Sequence, residues 1–305
     1  MAALAVTPDA WGAVDLDGPY DVARSMPRLG TVSEPTWRHR GEHVEISGRT
    51  PAGPVAFRAR SSADRLTVEA WGAGAGWIVD RLPQLAAHDD DPRPLRFDHA
   101  VLDETNRRHP GVRHGATGLV VDALLGRVLG QRVLAVEAGR SWKALCRELG
   151  GPAPGPLELL LPPDPDRVVE QPTWWFHQRG IERSRARTFV AVARHARRLA
   201  EVVDLPLPEA YARMRAVPGL GPWTVNGVAR VALGDPDAIV VGDYWISHAV
   251  CSFLTGRARG SDEEMLALVE RWTGQRGRVE RLVGLSGHRV QRFGPGIRTP
   301  RIASM

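Results

Sequence analysis

The sequence has little cysteine and almost no lysine. Cys146 and Cys251 are its only cysteines, too few for a disulfide framework or for the four thiolates of an iron–sulfur cluster. A reducing compartment suits them. Lys143 is the single lysine among 40 basic residues, so chemistry that needs an amine nucleophile has one candidate. No Pro-Cys-x-x-Cys occurs, which disfavours a zinc deaminase, and no metal site is expected. No apolar run reaches the ~20 residues of a membrane span, and residues 1–14 lack a basic segment followed by an apolar core. The expectation is a cytoplasmic protein with no membrane partner.

What is present is ordinary in amount and uneven in distribution. The 305 residues are 43% hydrophobic and 25% charged, enough for two or three cooperating domains. Residues 1–98 carry a net charge of −3 and residues 99–305 a net of +8. A basic region attracts phosphate through its field and through counterion release, although a solvated arginine surface has the same composition.

Residues 1–36 have weak periodicity and are expected to be irregular. From 37 to 96 the chain reads as β-rich. Glu42-His43-Val44-Glu45-Ile46, Val55-Ala56-Phe57-Arg58-Ala59 and Arg65-Leu66-Thr67-Val68-Glu69-Ala70-Trp71 alternate as strands and are separated by Gly/Pro turns. A helix is expected at 77–87, and the acidic stretch 88–94 reads as a linker. The segment 97–290 reads as helical, with helices at 118–137 (Gly130 as an interruption), at 141–149 with Ser141 as N-cap, and at 164–171, 182–201, 207–217, 222–233, 244–255, 262–273 and 276–286. The tail 291–305 is expected to be irregular. The fold class is therefore α+β, mainly α-helical with a small N-terminal antiparallel sheet.

The most specific segment lies at 207–233. A helix ends near Val217, and Pro218-Gly219-Leu220-Gly221-Pro222 turns the chain into a second helix. Glycines permit a tight turn and a close backbone approach, and Pro222 suits a first helical turn. The second helix then offers unpaired backbone N–H groups to a phosphate. Such a hairpin reads a nucleic-acid backbone and not its sequence. Pro-Gly-x-Gly by itself also describes a plain helical corner. Downstream, Asp243 opens another helix, followed by Tyr244 and Trp245. An aspartate there reads by itself as an N-cap, a role that does not exclude chemistry.

Residues 217–246 resemble the helix-hairpin-helix Gly/Pro-Asp superfamily of DNA glycosylases, and within it the 3-methyladenine DNA glycosylase II group. Leu125-Gly126-Arg127-Val128-Leu129-Gly130-Gln131-Arg132-Val133 is similar to that family's segment ahead of the hairpin, and the β-rich part resembles its TBP-like domain. The resemblance spans about residues 40–290. It implies a nucleoid-associated monomer that binds damaged double-stranded DNA, flips a base, and excises alkylated purines such as 3-methyladenine in base excision repair. It implies Asp243 as the catalytic carboxylate, stabilising positive charge on the sugar. Trp223 and Tyr244 match pocket positions, Gly219, Leu220, Gly221, Thr224 and Gln131 match DNA-binding positions, and Arg132 falls where the family places its wedge into the emptied stack. A cofactor is not implied, although a structural monovalent cation at the hairpin is compatible with it. Strand-cleaving members carry a lysine where this chain has Trp223, so a water-using, monofunctional enzyme is expected. Two family pocket aromatics fall at Gly227 and near Gly284, which suggests a roomier pocket. Trp174, Trp175, Trp245 and Trp272 read as core.

Two readings compete with this one. A non-catalytic hairpin protein would bind DNA without needing Asp243. A glycosylase of another specificity would act on mismatched adenine or oxidised guanine, against which stand the missing four-cysteine cluster and the missing lysine at 223. A scaffold protein leaves the conjunction of hairpin and acid unexplained.

Overall fold

The structure is a computed structural model that describes residues 6–27, 35–62 and 64–290. Five antiparallel strands form one sheet: β1 (Ala10–Asp15), β2 (Trp37–Arg40), β3 (His43–Thr50), β4 (Gly53–Ser61) and β5 (Arg65–Trp71), in the order β1-β5-β4-β3-β2. The alternation legible at 42–72 becomes the central meander, with Ile46 opposite Phe57 and Phe57 opposite Ala70. Among the described residues of 1–36, two segments depart from the irregular expectation, Ala10–Asp15 and Val22–Ser25. Ala10 to Asp15 pair along β5, from Ala10 opposite Ala70 to Asp15 opposite Arg65. This strand buries only Gly12, so its apolar alternation is too weak to read locally, and pairing across the chain creates it. The tail 291–305 lies outside the described residues.

Short helical turns at Val22–Ser25, Ala75–Val79 and Leu82–Leu85 follow the sheet's outline. The single helix expected at 77–87 divides there, because Pro83 starts a new first turn where its missing N–H costs nothing. The longer helices are α1 (Ala100–Arg108), α2 (Val120–Leu129), α3 (Ala135–Leu145), α4 (Arg183–Arg194), α5 (Leu207–Arg215), α6 (Pro222–Val228), α7 (Ile246–Thr255), α8 (Asp262–Val269) and α9 (Arg276–Leu285). Helix α6 continues through a π turn at Ala229–Leu233 and stops at Gly234, whose φ of 71° is left-handed. Ser141 does not cap a helix. It is buried inside α3, and its hydroxyl donates to the Arg179 carbonyl over 2.7 Å.

Two apolar clusters organise these elements. The larger one joins the sheet (Val44, Ile46, Phe57, Val68) to α2 (Leu124, Leu125, Val128), α4 (Phe189) and the pair α5 and α6 (Met214, Val225, Val228). The smaller one gathers Phe97, Leu102, Ile239, Val250, Met265, Trp272, Val279 and Leu282 from α1, α7, α8, α9 and nearby loops. The chain passes from the first cluster to the second between α6 and α7. The stretch 88–94 is more than a linker, because Asp90 is held by Arg278 of α9 and by the backbone N–H of His114. Trp272 is core as expected, but Trp174 is 63% exposed and Trp245 40%. Trp174 instead lines a shallow groove with Thr173, His177, Gln178 and Arg183.

Candidate active site

Helices α5 and α6 meet in the hairpin predicted at 207–233. Its tip, Pro218, Gly219, Gly221 and Pro222, is exposed, while Leu220 is buried beneath it. Gly219 has a φ of 89°, and a Cβ there would stand 2.1 Å from Thr188 Oγ1 of α4. Left-handed backbone and close packing both demand glycine at this position. Gly221 differs: a Cβ added there meets nothing within 4 Å.

Gln131, just beyond α2, ties the turn from below. Its amide donates to the Gly219 carbonyl over 3.0 Å and to Thr224 Oγ1 over 2.9 Å. Thr224 is thus buried and internally bonded, so together with Leu220 it shapes the hairpin and does not present its side chain outward. Arg132 follows, exposed, with a φ of 56°. Left-handed backbone is uncommon outside glycine and is worth noting next to a functional turn. The carbonyls of Val217 and Gly221 accept backbone hydrogen bonds, and that of Gly219 accepts Gln131.

Asp243 stands where the chain leaves the hairpin cluster for the second cluster. The approach to it is fixed by three side chains: Asn226 of α6 donates to the Ile239 carbonyl over 2.7 Å, Val240 N–H donates to Glu280 over 3.0 Å, and Gly242 N–H donates to Asp262 over 2.6 Å. The Asp243 carboxylate accepts from the Trp223 indole N–H over 3.1 Å, and from the backbone N–H groups of Trp245 and Ile246 over 2.9 and 3.3 Å. The N-cap position of α7 is Trp245, two residues later than the local sequence suggested, but the Asp243 carboxylate still binds N–H groups at the start of that helix and is also bonded to the aromatic residue at the start of α6. Three donors hold the carboxylate in one orientation, as a group that stabilises developing positive charge requires. Trp223 and Asp243 are thus brought together. Tyr244 is 65% exposed and stacks edge-on against Trp245 at 4.7 Å between centroids, so it lies at the mouth of the site and does not wall it.

The sequence matches no protein-family profile and no curated protein. Solved structures do match. MBOgg1, in complex with a low-affinity DNA ligand, is 14% identical with a TM-score of 0.68 over 90% of this chain and 94% of that one. A 3-methyladenine DNA-glycosylase from Archaeoglobus fulgidus is 18% identical with a TM-score of 0.69 over 90% and 98%. The 8-oxoguanine glycosylase/lyase of Clostridium acetobutylicum, in complex with double-stranded DNA, is 12% identical with a TM-score of 0.64 over 92% and 98%. The chain has the fold of the helix-hairpin-helix DNA glycosylases.

Within this glycosylase fold, one residue that sequence reasoning passed over changes the site. The Arg127 guanidinium lies 3.9 Å from the centroid of the Trp223 ring, and its Nη2 donates to the Trp223 carbonyl over 3.3 Å. A Cβ at Gly227 would come within 2.5 Å of it. The roomier pocket expected from Gly227 is therefore not empty: the volume an aromatic side chain would take is filled by Arg127. Burial pushes the Arg127 pKa down to about 10, with Arg230 adding to the shift and Glu280 and Asp243 opposing it. The position was legible in principle. Arg127 precedes Gln131 by four residues, one helical turn, so the last turn of α2 and the residue just beyond it both face the hairpin. Gly284 has no heavy atom near an added Cβ, and Lys143 is exposed on α3. Among the described residues no helix is long and apolar enough to cross a membrane, and no cluster of His, Cys, Asp or Glu could hold a metal ion.

Proposed function

We propose that this protein is a monofunctional DNA N-glycosylase that removes damaged purines, the alkylated ones among them, from double-stranded DNA. The observation that carries the reading is the Asp243 carboxylate, fixed by three N–H donors directly downstream of an exposed glycine hairpin. In this reading the hairpin tip grips the phosphate backbone and Arg132 enters the gap left by the flipped nucleotide. Asp243 stabilises the oxocarbenium-like sugar and orients the attacking water. Trp223 occupies the position where an amine would be needed for strand cleavage, and Lys143 lies on another helix, which supports hydrolysis without a Schiff base. The similarity in fold to a 3-methyladenine glycosylase supports a purine substrate.

Single-turnover release of bases from methylated and deaminated duplex DNA, read by mass spectrometry, tests the proposal. Asp243→Asn should keep DNA affinity and lose at least ~100-fold in excision, about 2.7 kcal/mol of barrier. Excision within about threefold of wild type, or efficient borohydride trapping of a wild-type adduct, would sink it.

A further inference from the structure

We propose that Arg127 is a specificity-determining residue of this site: it selects neutral purines that carry hydrogen-bond acceptors over cationic alkylated ones. The inference rests on the glycosylase reading of Asp243 and deepens it.

The indole that hydrogen-bonds Asp243 is also the ring on which Arg127 lies. A base leaving the sugar beside Asp243 must therefore occupy the neighbourhood of a guanidinium. The guanidinium is held there by shape, because it fills the space that a side chain at Gly227 would take and its Nη2 is anchored on the Trp223 carbonyl. Its Nε–H is buried and has no partner among the described residues. A buried donor without a partner is costly, and a base that displaced the side chain from its packing beside Gly227 would offer it an acceptor. Arg230 is engaged with Glu280 at 2.6 Å, and among the described residues Arg127 makes no salt bridge of its own, although Glu280 and Asp243 lie close enough to act on its charge.

The chemistry of the leaving group shows what such a residue does. Excision breaks the C1′–N9 bond with both electrons going to N9. Water adds to C1′ and sheds a proton; a base that departs as an anion takes one up from solvent, whereas a cationic base departs neutral and the proton stays in solution, so in both cases the net reaction is hydrolysis. A cationic N-alkylpurine departs neutral and gains nothing from a nearby positive charge, which also repels it in the ground state. A neutral purine departs as an anion, and a guanidinium donating to its ring nitrogens or to an exocyclic oxygen stabilises the charge as it forms. A cation lying on the ring face of Trp223 also takes the surface to which a cationic base would be drawn. Each effect favours a neutral oxopurine or a similar acceptor-bearing lesion.

The test compares duplexes carrying hypoxanthine, which is neutral, with duplexes carrying 7-methylguanine, which is cationic, both in wild type and in Arg127→Met. For each lesion the enzymatic rate is divided by the spontaneous release rate. In wild type this enhancement should be at least tenfold larger for hypoxanthine; an equal or smaller value overturns the proposal without any variant. In Arg127→Met the ratio of hypoxanthine to 7-methylguanine release should fall at least tenfold, and an unchanged ratio overturns it as well. Gly227→Ala, whose Cβ displaces the guanidinium, should shift the ratio in the same direction and serves if Arg127→Met does not fold. Asp243→Asn separates the two levels of the argument. Base release that survives Asp243→Asn, or no release by wild type, refutes the glycosylase reading. Release that depends on Asp243 but shows no preference refutes only the role of Arg127.

Discussion

Asp122 is a buried acid in the wrong place for its charge. It sits on α2 beneath β3, fully buried, and only one of its oxygens is bonded, to the Arg49 backbone N–H at 2.7 Å; Oδ1 has no partner among the described residues. Burial pushes its pKa up to about 7, against the hydrogen bond and charge of Arg49. A folded-state pKa above the unfolded value means that the native state holds the proton longer. The contribution to stability is therefore full below pH ~4 and is lost as pH rises through about 7, on the order of 4 kcal/mol in all. Asp122→Asn removes this loss while keeping an acceptor for Arg49, at the cost of an amide group with no partner of roughly 1–3 kcal/mol. At pH 8 the variant should be more stable than wild type by about 1–3 kcal/mol, as read by denaturant unfolding. A lower stability at pH 8 would show that the carboxylate is solvated or paired.

In the proposed function the hairpin is the element on which DNA binding turns, and its two glycines do different work. Gly219 is demanded by the fold, through its left-handed φ and the contact of an added Cβ with Thr188. Gly221 faces open space on the exposed tip, so glycine there serves whatever approaches from outside. Gly219→Ala should lower the unfolding midpoint and weaken DNA binding together. Gly221→Ala should leave the unfolding midpoint within about 1 °C, since surface changes away from packed features stay within about 0.5 kcal/mol, and should weaken binding to every duplex sequence alike. Thermal melts and fluorescence titrations of the two variants check this. Unchanged affinity in Gly221→Ala would remove the tip from the DNA interface.

At the scale of the molecule, the segment at Asp90 is bolted to α9 through charges removed from water. Arg278 is 2% exposed, bonds Asp90, and donates to the Val112 carbonyl over 3.0 Å, while His114 lies against both side chains. Burial lowers the His114 pKa, the Asp90 hydrogen bond raises it, and Arg278 lowers it again, with a net value of about 4. For Asp90, burial raises the pKa, but His114 and Arg278 outweigh it and hold the carboxyl well below its usual range. Between pH 6.5 and about 4 the unfolded chain therefore binds a proton on His114 that the native state refuses. This contribution to stability is present above pH 6.5 and falls by roughly 3 kcal/mol as pH drops to 4. Asp122 titrates over much the same window with the opposite sign. Wild type should accordingly show a flat pH dependence from 4 to 7, whereas Asp122→Asn should gain about 3 kcal/mol from pH 4 to 6.5. Unfolding curves across that range decide it: parallel profiles for the two proteins would mean that Asp122 does not titrate in this window, and a flat profile for Asp122→Asn would mean that His114 is protonated in the folded state.

Local pattern carried much of the fold. The alternation at 42–72 became β3, β4 and β5, and the Gly/Pro punctuation at 217–222 became the hairpin, because turn conformation and strand facing depend on residues close in sequence. The spacing from the hairpin to Asp243 was likewise visible in the chain. Tertiary structure decided the rest. Strand β1 exists through pairing with a strand about fifty residues away. Ser141 lies mid-helix because Arg179 supplies a carbonyl to its hydroxyl, and Trp174 is exposed where hydrophobicity alone placed it inside. Gly227 read as empty space until Arg127 of another helix was found to fill it. The sequence by itself determined which groups the site has available, a carboxylate, an indole, a glycine turn and no lysine, since those are properties of single residues and short spacings. Which face of Trp223 is covered, and by a cation, was decided only by the packing of α2 against α6, because occupancy of a volume depends on side chains that the chain brings together from distant positions.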